Sequence, residues 1–203
     1  MSIKTIIAIH GQKGSGKSTL AKALEYPIVS FAGPIKAMIN VLLMEAGFTA
    51  AQISYWIHDE KGKDEVIPPP INCTGRHLMQ TLGTEWGRGM VNQAVWPNIL
   101  LAKSSKMSQG VSAIANFLTV DDLRFPSEME ILNESPHHTL FVKVVRPDRV
   151  YADNHASEQG LPDEEFDLVI VNDFNSPQKY TYYATLAVME MLRERGLTSS
   201  VQP

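Results

Sequence analysis

The chain has 203 residues, a formal net charge of -4, and 44% apolar against 20% charged residues, which supplies a full core and excludes a disordered chain. The acidic balance excludes a global field for a nucleic-acid polymer, so a bound anion must be met by a local cluster of donors. The single cysteine, Cys73, excludes an internal disulfide and a cysteine-rich zinc site, and no apolar run is long enough for a membrane span.

The length predicts a single α/β domain with insertions. The first apolar run, TIIAI (Thr5 to Ile9), is too short for an export signal and reads as a strand. With the reducing character of the lone cysteine, this makes the cytoplasm the expected compartment. Directly after it stands GQKGSGKST, in which Gly11, Gly16, Lys17 and Ser18 satisfy the G-x-x-x-x-G-K-[ST] phosphate-loop pattern. Glycines let the backbone wrap an anion with its N–H groups inward, and the following helix, Lys17 to Glu25, adds the positive end of its dipole. Lys17 is expected on the β- and γ-phosphates of a nucleoside triphosphate, and Ser18 on Mg²⁺. The loop alone leaves kinases, GTPases and motor ATPases open; the chain carries no N-K-x-D guanine motif.

YPIVSFA is the second predicted strand, followed by AGPIK and a helix over Pro34 to Ala46. Lys36 lies in the first turn of that helix, where a cation opposes the helix dipole, which hints at an anion nearby. His58 to Thr74, charged and then proline-rich, reads as a mobile excursion from the sheet. A helix over Gly75 to Met90 follows. On 3.6-residue periodicity it has a core stripe of Leu78, Leu82, Trp86 and Met90, and a second face of Arg76, Gln80, Gly83 and Gly87. Glycine is costly in mid-helix, so the pair points to close approach by a ligand or another backbone, and Arg76 could fork onto a phosphate.

Val95 to Met107 is predicted helical, and ANFLTV is the third strand. At its carboxyl end, where open α/β sheets bind ligands, stand Asp121, Asp122, Arg124 and Glu128, suited to magnesium, a sugar hydroxyl or a transferring phosphoryl group. The plainer alternative is a turn with Ser127 or Asp122 capping a helix over Pro126 to Glu134. TLFVKVV and DLVIV are the remaining strands, separated by a second predicted excursion, Arg146 to Asp167. A closing helix, Pro177 to Arg195, carries a stripe of Tyr182, Leu186 and Met189 and stops at Gly196; the tail from Leu197 to Pro203 is expected to fray.

In this order, GQKGSGKST, AGPIK, RHLMQTLGTEWGR, DDLRFPSEME, VVRP, HASEQGLP and DLVIVND resemble the bacteriophage deoxynucleoside monophosphate kinases, over Ile6 to Asp173. The resemblance implies a P-loop NTPase fold of the nucleoside-monophosphate-kinase type, with a parallel five-stranded sheet flanked by helices, a monophosphate-binding insertion over about 34–107 and a lid-like segment over about 146–167. It implies ATP and Mg²⁺ as cofactors and a deoxynucleoside 5′-monophosphate as acceptor, with no nucleic-acid polymer or membrane as partner, and it leaves a homodimer open. A phage-encoded enzyme of this kind would work in the host cytoplasm. Lys13, Gly14, Ser15, Gly16, Lys17, Ser18 and Thr19 are then expected on ATP phosphates, and Asn172 and Asp173 on the adenine side. Ile35, Lys36, Arg76, Gly83, Thr84, Trp96, Asp122, Arg124 and Glu128 are expected around the monophosphate. Lys17, Arg124, Asp122 and a lid arginine, Arg146 or Arg149, are expected to be catalytic. Some relatives carry aspartate where this chain has Ser18, and His58 to Thr74 matches no motif of the family. The alternatives are a kinase for another phosphorylated small molecule, of the dephospho-coenzyme A or phosphomevalonate type, and a non-catalytic nucleotide switch.

Overall fold

The structure, a computed structural model, describes residues 5–107, 116–147 and 160–197. Its sheet has five parallel strands: β1 (Thr5–His10), β2 (Ile28–Val29), β3 (Phe117–Leu123), β4 (His138–Val145) and β5 (Leu168–Val171), in the order β2-β3-β1-β4-β5. Every residue of the central β1 is buried, which is why TIIAIH reads as a nearly unbroken apolar run rather than an alternating one. The chain leaves β1 toward β3 and β2 on one side and reaches β4 and β5 on the other. The carboxyl ends of β1 and β3 therefore flank a topological switch point, where such sheets bind ligands.

Described residues of Met1–Ser30 and Leu100–Pro203 form one compact unit, and Phe31–Ile99 form a second. In the first, α1 (Lys17–Ala23) and α7 (Pro177–Glu194) bury Leu20, Ala21, Tyr180, Ala184, Val188 and Leu192 against Ile7, Ile9, Leu140, Val142, Val144 and Ile170. The buried stripe of α7 is thus Tyr180, Ala184, Val188 and Leu192, and the predicted stripe of Tyr182, Leu186 and Met189 is exposed. Both stripes have helical spacing, and the sheet takes the one whose small alanine permits close approach. α6 (Pro126–Glu134) adds Met129 and Leu132 to the buried set.

The second unit is helical. α2 (Ala32–Glu45) starts at Ala32 with Pro34 in its first turn, where a missing N–H costs nothing, and this early start leaves β2 only two residues of the predicted YPIVSFA. α3 (Ala50–His58), absent from the sequence-based expectation, begins with a capping box: Thr49 accepts from the Gln52 N–H and Gln52 reaches back to the Thr49 N–H. Ile53, Trp56 and Ile57 form its buried stripe, in a unit whose core also holds Ile35, Ile39, Leu43 and Ile67.

The predicted excursion at His58 to Thr74 is a folded loop rather than a structureless one. It contains a 3₁₀ turn (Gly62–Asp64), a bridge between Val66 and Thr74, a fully buried Ile67 and a cis Pro69–Pro70 bond. Two backbone approaches hold it to α3: a Cβ on Gly62 would stand 2.3 Å from the Tyr55 carbonyl oxygen, and one on Gly75 would stand 2.1 Å from that of Trp56. Within the other predicted excursion, Arg146 to Asp167, the structure describes Arg146, Pro147 and residues 160–167; Arg149 and the HASEQ run lie outside the described residues.

Candidate active site

In the first unit the loop from Gly11 to Gly16 joins β1 to α1. A Cβ on Gly11 would meet the Ser15 hydroxyl at 2.5 Å and the Val144 carbonyl at 2.7 Å, so the chain passes through a gap that only glycine fits. Gly14 and Gly16 have φ of 73° and 109°, in the region that favours glycine. The Ser15 N–H closes the turn on the Gln12 carbonyl (3.1 Å), and the Lys17 ammonium arches back over the loop to the same oxygen (3.1 Å). Lys13 is half-buried, Ser18 and Thr19 are exposed, and Ser15 is buried with its hydroxyl unpartnered among the described residues.

Across from the loop, the Ser18 hydroxyl donates to an Asp121 carboxylate oxygen at 3.1 Å. The sequence shows two adjacent aspartates and no reason to prefer Asp121. The reason lies in the sheet: between the Ala8–Val120 and His10–Leu123 pairs β3 has one residue more than β1, a bulge carrying Asp121 and Asp122. Bulges re-aim side chains beside active sites, and here one brings Asp121 to Ser18. The pair is a hard oxygen donor set at the start of a helix. No group of three or more histidine, cysteine or acidic side chains gathers among the described residues.

Beyond the bulge the chain turns into α6. The buried Glu128 accepts from the backbone N–H groups of Arg124 (2.7 Å) and Phe125 (3.1 Å). Its carboxylate thus closes this turn, the part the sequence left to Ser127 or Asp122. Arg124 and Asp122 are half-buried at the same exit, and Arg146 directly follows β4. On the other side of the loop, the Asn172 amide donates to the Ser15 carbonyl (2.7 Å) and the Tyr180 hydroxyl donates to the Gly16 carbonyl (3.1 Å). Asn172 was expected on the adenine side; its side chain faces the phosphate loop. Asp173 is exposed. Asp121 stands in the sequence only as one of a pair at the strand exit and Tyr180 has no signal there, since each contact spans more than 100 residues.

In the second unit, α4 (Gly75–Gln80) runs on into eleven residues of π-helix, Thr81–Val91. Its wider turn, closed by bonds such as Asn92 N–H to the Gly87 carbonyl (2.9 Å), overturns the predicted 3.6-residue stripe. The buried face carries Gly75, Gly83 and Gly87, whereas Trp86 and Met90 are 40% and 81% exposed. What comes close to Gly83 and Gly87 is a side chain. A Cβ on Gly87 would lie 2.3 Å from the Trp96 ring, one on Gly83 would lie 3.0 Å from Ile35, and the Trp96 indole N–H donates to the Gly83 carbonyl (2.7 Å).

Trp96 and Ile35 are therefore buried, and Thr84 and Lys36 are half-buried. The Arg76 guanidinium forks onto Asp64, Nε at 2.5 Å and a terminal nitrogen at 3.3 Å, with Glu60 4.0 Å away. His58 is held below its ordinary pKa by burial first, then by Lys36 and Lys63.

A family model described as deoxynucleotide monophosphate kinase matches residues 58–178, more than half of the chain. The deoxynucleoside-5′-monophosphate kinase of Escherichia phage T5 is 26% identical, over 85% of this chain and 91% of its own length. The deoxynucleotide monophosphate kinase of Enterobacteria phage T4 is 30% identical over 58% of this chain and 52% of its own. Among solved structures, TT1252 from Thermus thermophilus aligns over 95% of this chain and 97% of its own with a TM-score of 0.50 and 16% identity, a likeness of fold alone. With a phosphate loop at the switch point of a five-stranded parallel sheet and a family match that runs from the folded loop at His58 into the first turn of α7, this chain belongs to the deoxynucleotide monophosphate kinase family.

Proposed function

We propose that this kinase transfers the γ-phosphoryl group of ATP to a deoxynucleoside 5′-monophosphate, giving ADP and the deoxynucleoside diphosphate. The observation that carries the donor half is the loop itself: positive-φ glycines, a lysine arched over them, and the Ser18–Asp121 oxygen pair at the helix start. Backbone N–H groups of Lys13 to Thr19 bind the β- and γ-phosphates, and Lys17 exchanges the Gln12 carbonyl for phosphate oxygens. Ser18 and Asp121 would hold Mg²⁺, which supplies charge neutralisation on the phosphate oxygens when bound.

The acceptor is already an anion, so no general base is needed, and the protein's work is to position and to neutralise charge. Arg124 and Arg146 meet the equatorial oxygens of the transferring group, and Asp122 orients the acceptor. In the second unit, Lys36 and Arg76 supply cations for the acceptor phosphate. Trp96 contributes by fixing the π-helical segment, because its one polar atom is committed to the Gly83 carbonyl. Glu128 likewise acts through the backbone of Arg124.

A coupled ADP-release assay with each common nucleoside monophosphate, and with dephospho-coenzyme A and phosphomevalonate as comparison acceptors, tests the reading. Turnover is expected with deoxynucleoside monophosphates, and Arg76→Ala is expected to raise their KM without changing that of ATP. Turnover confined to either comparison acceptor, or ATP hydrolysis indifferent to every acceptor, overturns it.

A further inference from the structure

Three features of the first unit lie outside the reaction as described: His10 under the strand ends, the buried hydroxyl of Ser15, and the two side chains that reach the phosphate loop from Asn172 and Tyr180. The last carries an argument furthest. In a trans peptide the C=O and N–H point in opposite directions, so fixing a carbonyl fixes the aim of the next N–H. The Ser15 carbonyl accepts the Asn172 amide and the Gly16 carbonyl accepts the Tyr180 hydroxyl, which turns the Gly16 and Lys17 N–H groups the other way. These N–H groups belong to the loop's anion-binding half. Asn172 and Tyr180 are 5% and 2% exposed, and a Cβ on Gly16 would meet Asn172 at 2.7 Å and Tyr180 at 2.9 Å, so both side chains pack directly under the loop backbone. Gly16, at φ 109°, is also the residue whose peptide units turn over most easily.

We infer that Asn172 and Tyr180 are positioning residues that hold the Ser15–Gly16 and Gly16–Lys17 peptides with their N–H groups toward the nucleotide's phosphates, so that Asn172 acts on the phosphate chain of ATP and not on its base. The inference rests on reading Gly11 to Thr19 as the ATP-phosphate site. It also ranks the two residues. The Gly16 carbonyl additionally accepts the Leu20 N–H at 2.9 Å as the first bond of α1, so its peptide keeps one anchor when the tyrosine hydroxyl is removed. The Asn172 contact is the heavier of the two. Asn172→Asp keeps the shape but sets an acceptor against the Ser15 carbonyl, which favours the flipped peptide.

Calorimetric titration of the full chain with three probes separates the possibilities: a non-hydrolysable ATP analogue, inorganic tripolyphosphate and adenosine. Asn172→Asp is expected to weaken the analogue and tripolyphosphate alike, by about 10- to 100-fold, and Tyr180→Phe by about threefold to tenfold, the usual range for one buried hydrogen bond. Adenosine affinity stays unchanged, and in steady-state kinetics the KM for ATP rises while that for the monophosphate does not. Tyr180→Phe retains the ring and its packing, and Asn172→Ser replaces Asn172→Asp if thermal melting shows that the latter does not fold. If the asparagine variants lose adenosine and the analogue equally but keep tripolyphosphate, Asn172 reads the base and the inference is wrong. Wild-type affinities in all variants overturn it too. A wild-type chain that binds neither tripolyphosphate nor the analogue removes the phosphate-loop reading, and the inference with it.

Discussion

The phosphate loop and the π-helical segment both depend on glycine, for opposite reasons. In the loop, Gly14 and Gly16 take positive φ so that backbone groups can face an anion, and the side chains around them serve the backbone. In the π-helix, Gly83 and Gly87 have ordinary dihedrals and are glycines because Trp96 and Ile35 occupy the space a Cβ would need. One set of glycines builds chemistry and the other builds a packed scaffold. Substitutions should therefore separate catalysis from stability along this line, and the sharpest test lies in the loop.

Lys17→Ala is expected to lower kcat by about three orders of magnitude or more, since it removes the cation that meets charge on the transferring phosphoryl group. The side chain reaches over the loop rather than into the core, so the melting temperature should hardly move. A variant with normal turnover, or one that loses activity only because it unfolds, would erase the distinction between the two regions.

The π-helix predicts the reverse. Alanine in place of an exposed mid-helix glycine gains about 1 kcal/mol of stability, whereas overpacking a filled site costs about 1 to 3 kcal/mol or more. At Gly87 a new Cβ would stand 2.3 Å from the Trp96 ring, so the clash wins and Gly87→Ala should lower the melting temperature. At Gly89 it would meet only the Thr84 carbonyl at 3.6 Å, an ordinary contact, so Gly89→Ala should raise it slightly. Thermal denaturation of the two variants side by side gives opposite signs if Trp96 is the reason for the glycine face, and the same sign if it is not.

The same contrast explains what the sequence could show. Strand positions, the loop and the helix over Pro126–Glu134 rest on local patterns, and the structure has them within a few residues. The start of α3 also has a local signal, the capping pattern T-A-A-Q at Thr49–Gln52. Other features have no local signature. The choice between Asp121 and Asp122 depends on a bulge defined by the neighbouring strand, the faces of Gly75–Val91 depend on a change of helical pitch, and the contacts of Asn172 and Tyr180 with the loop join residues 157 and 164 positions apart. Glu128 shows the middle case: the sequence places it at the strand exit, and its backbone-capping contact appears only in the fold.

The smallest expected effect asks whether the donor region also has a side chain whose protonation matters to folding. His10 ends β1 just before the phosphate loop, buried and stacked on Phe166 with ring centroids 5.3 Å apart. A carbonyl can only accept, so the 2.9 Å contact with the Leu123 oxygen places the proton on Nδ1 and leaves Nε2 to accept the Leu161 N–H at 3.4 Å. Burial lowers the imidazole pKa most, and the cations facing it, Lys143, Lys17 and Arg124, lower it further, against the opposing pull of the Leu123 hydrogen bond. The folded state thus holds His10 neutral, while the unfolded chain takes up a proton near the ordinary value of 6.5. Stability is full above that pH and declines as pH falls through it toward the lowered folded value, because the unfolded state then binds more protons. Most carboxylates begin to titrate only below about pH 5, so the window from about 6.5 down to 5 isolates the histidines, and because His58 is lowered as well, the share of His10 is the part of the slope that its substitution removes. In that window the wild-type melting temperature should fall by less than the Gly87→Ala loss. His10→Asn, which keeps a donor for the Leu123 carbonyl but does not titrate, should flatten the slope. If the slope is unchanged in the variant, His10 is not a source of it.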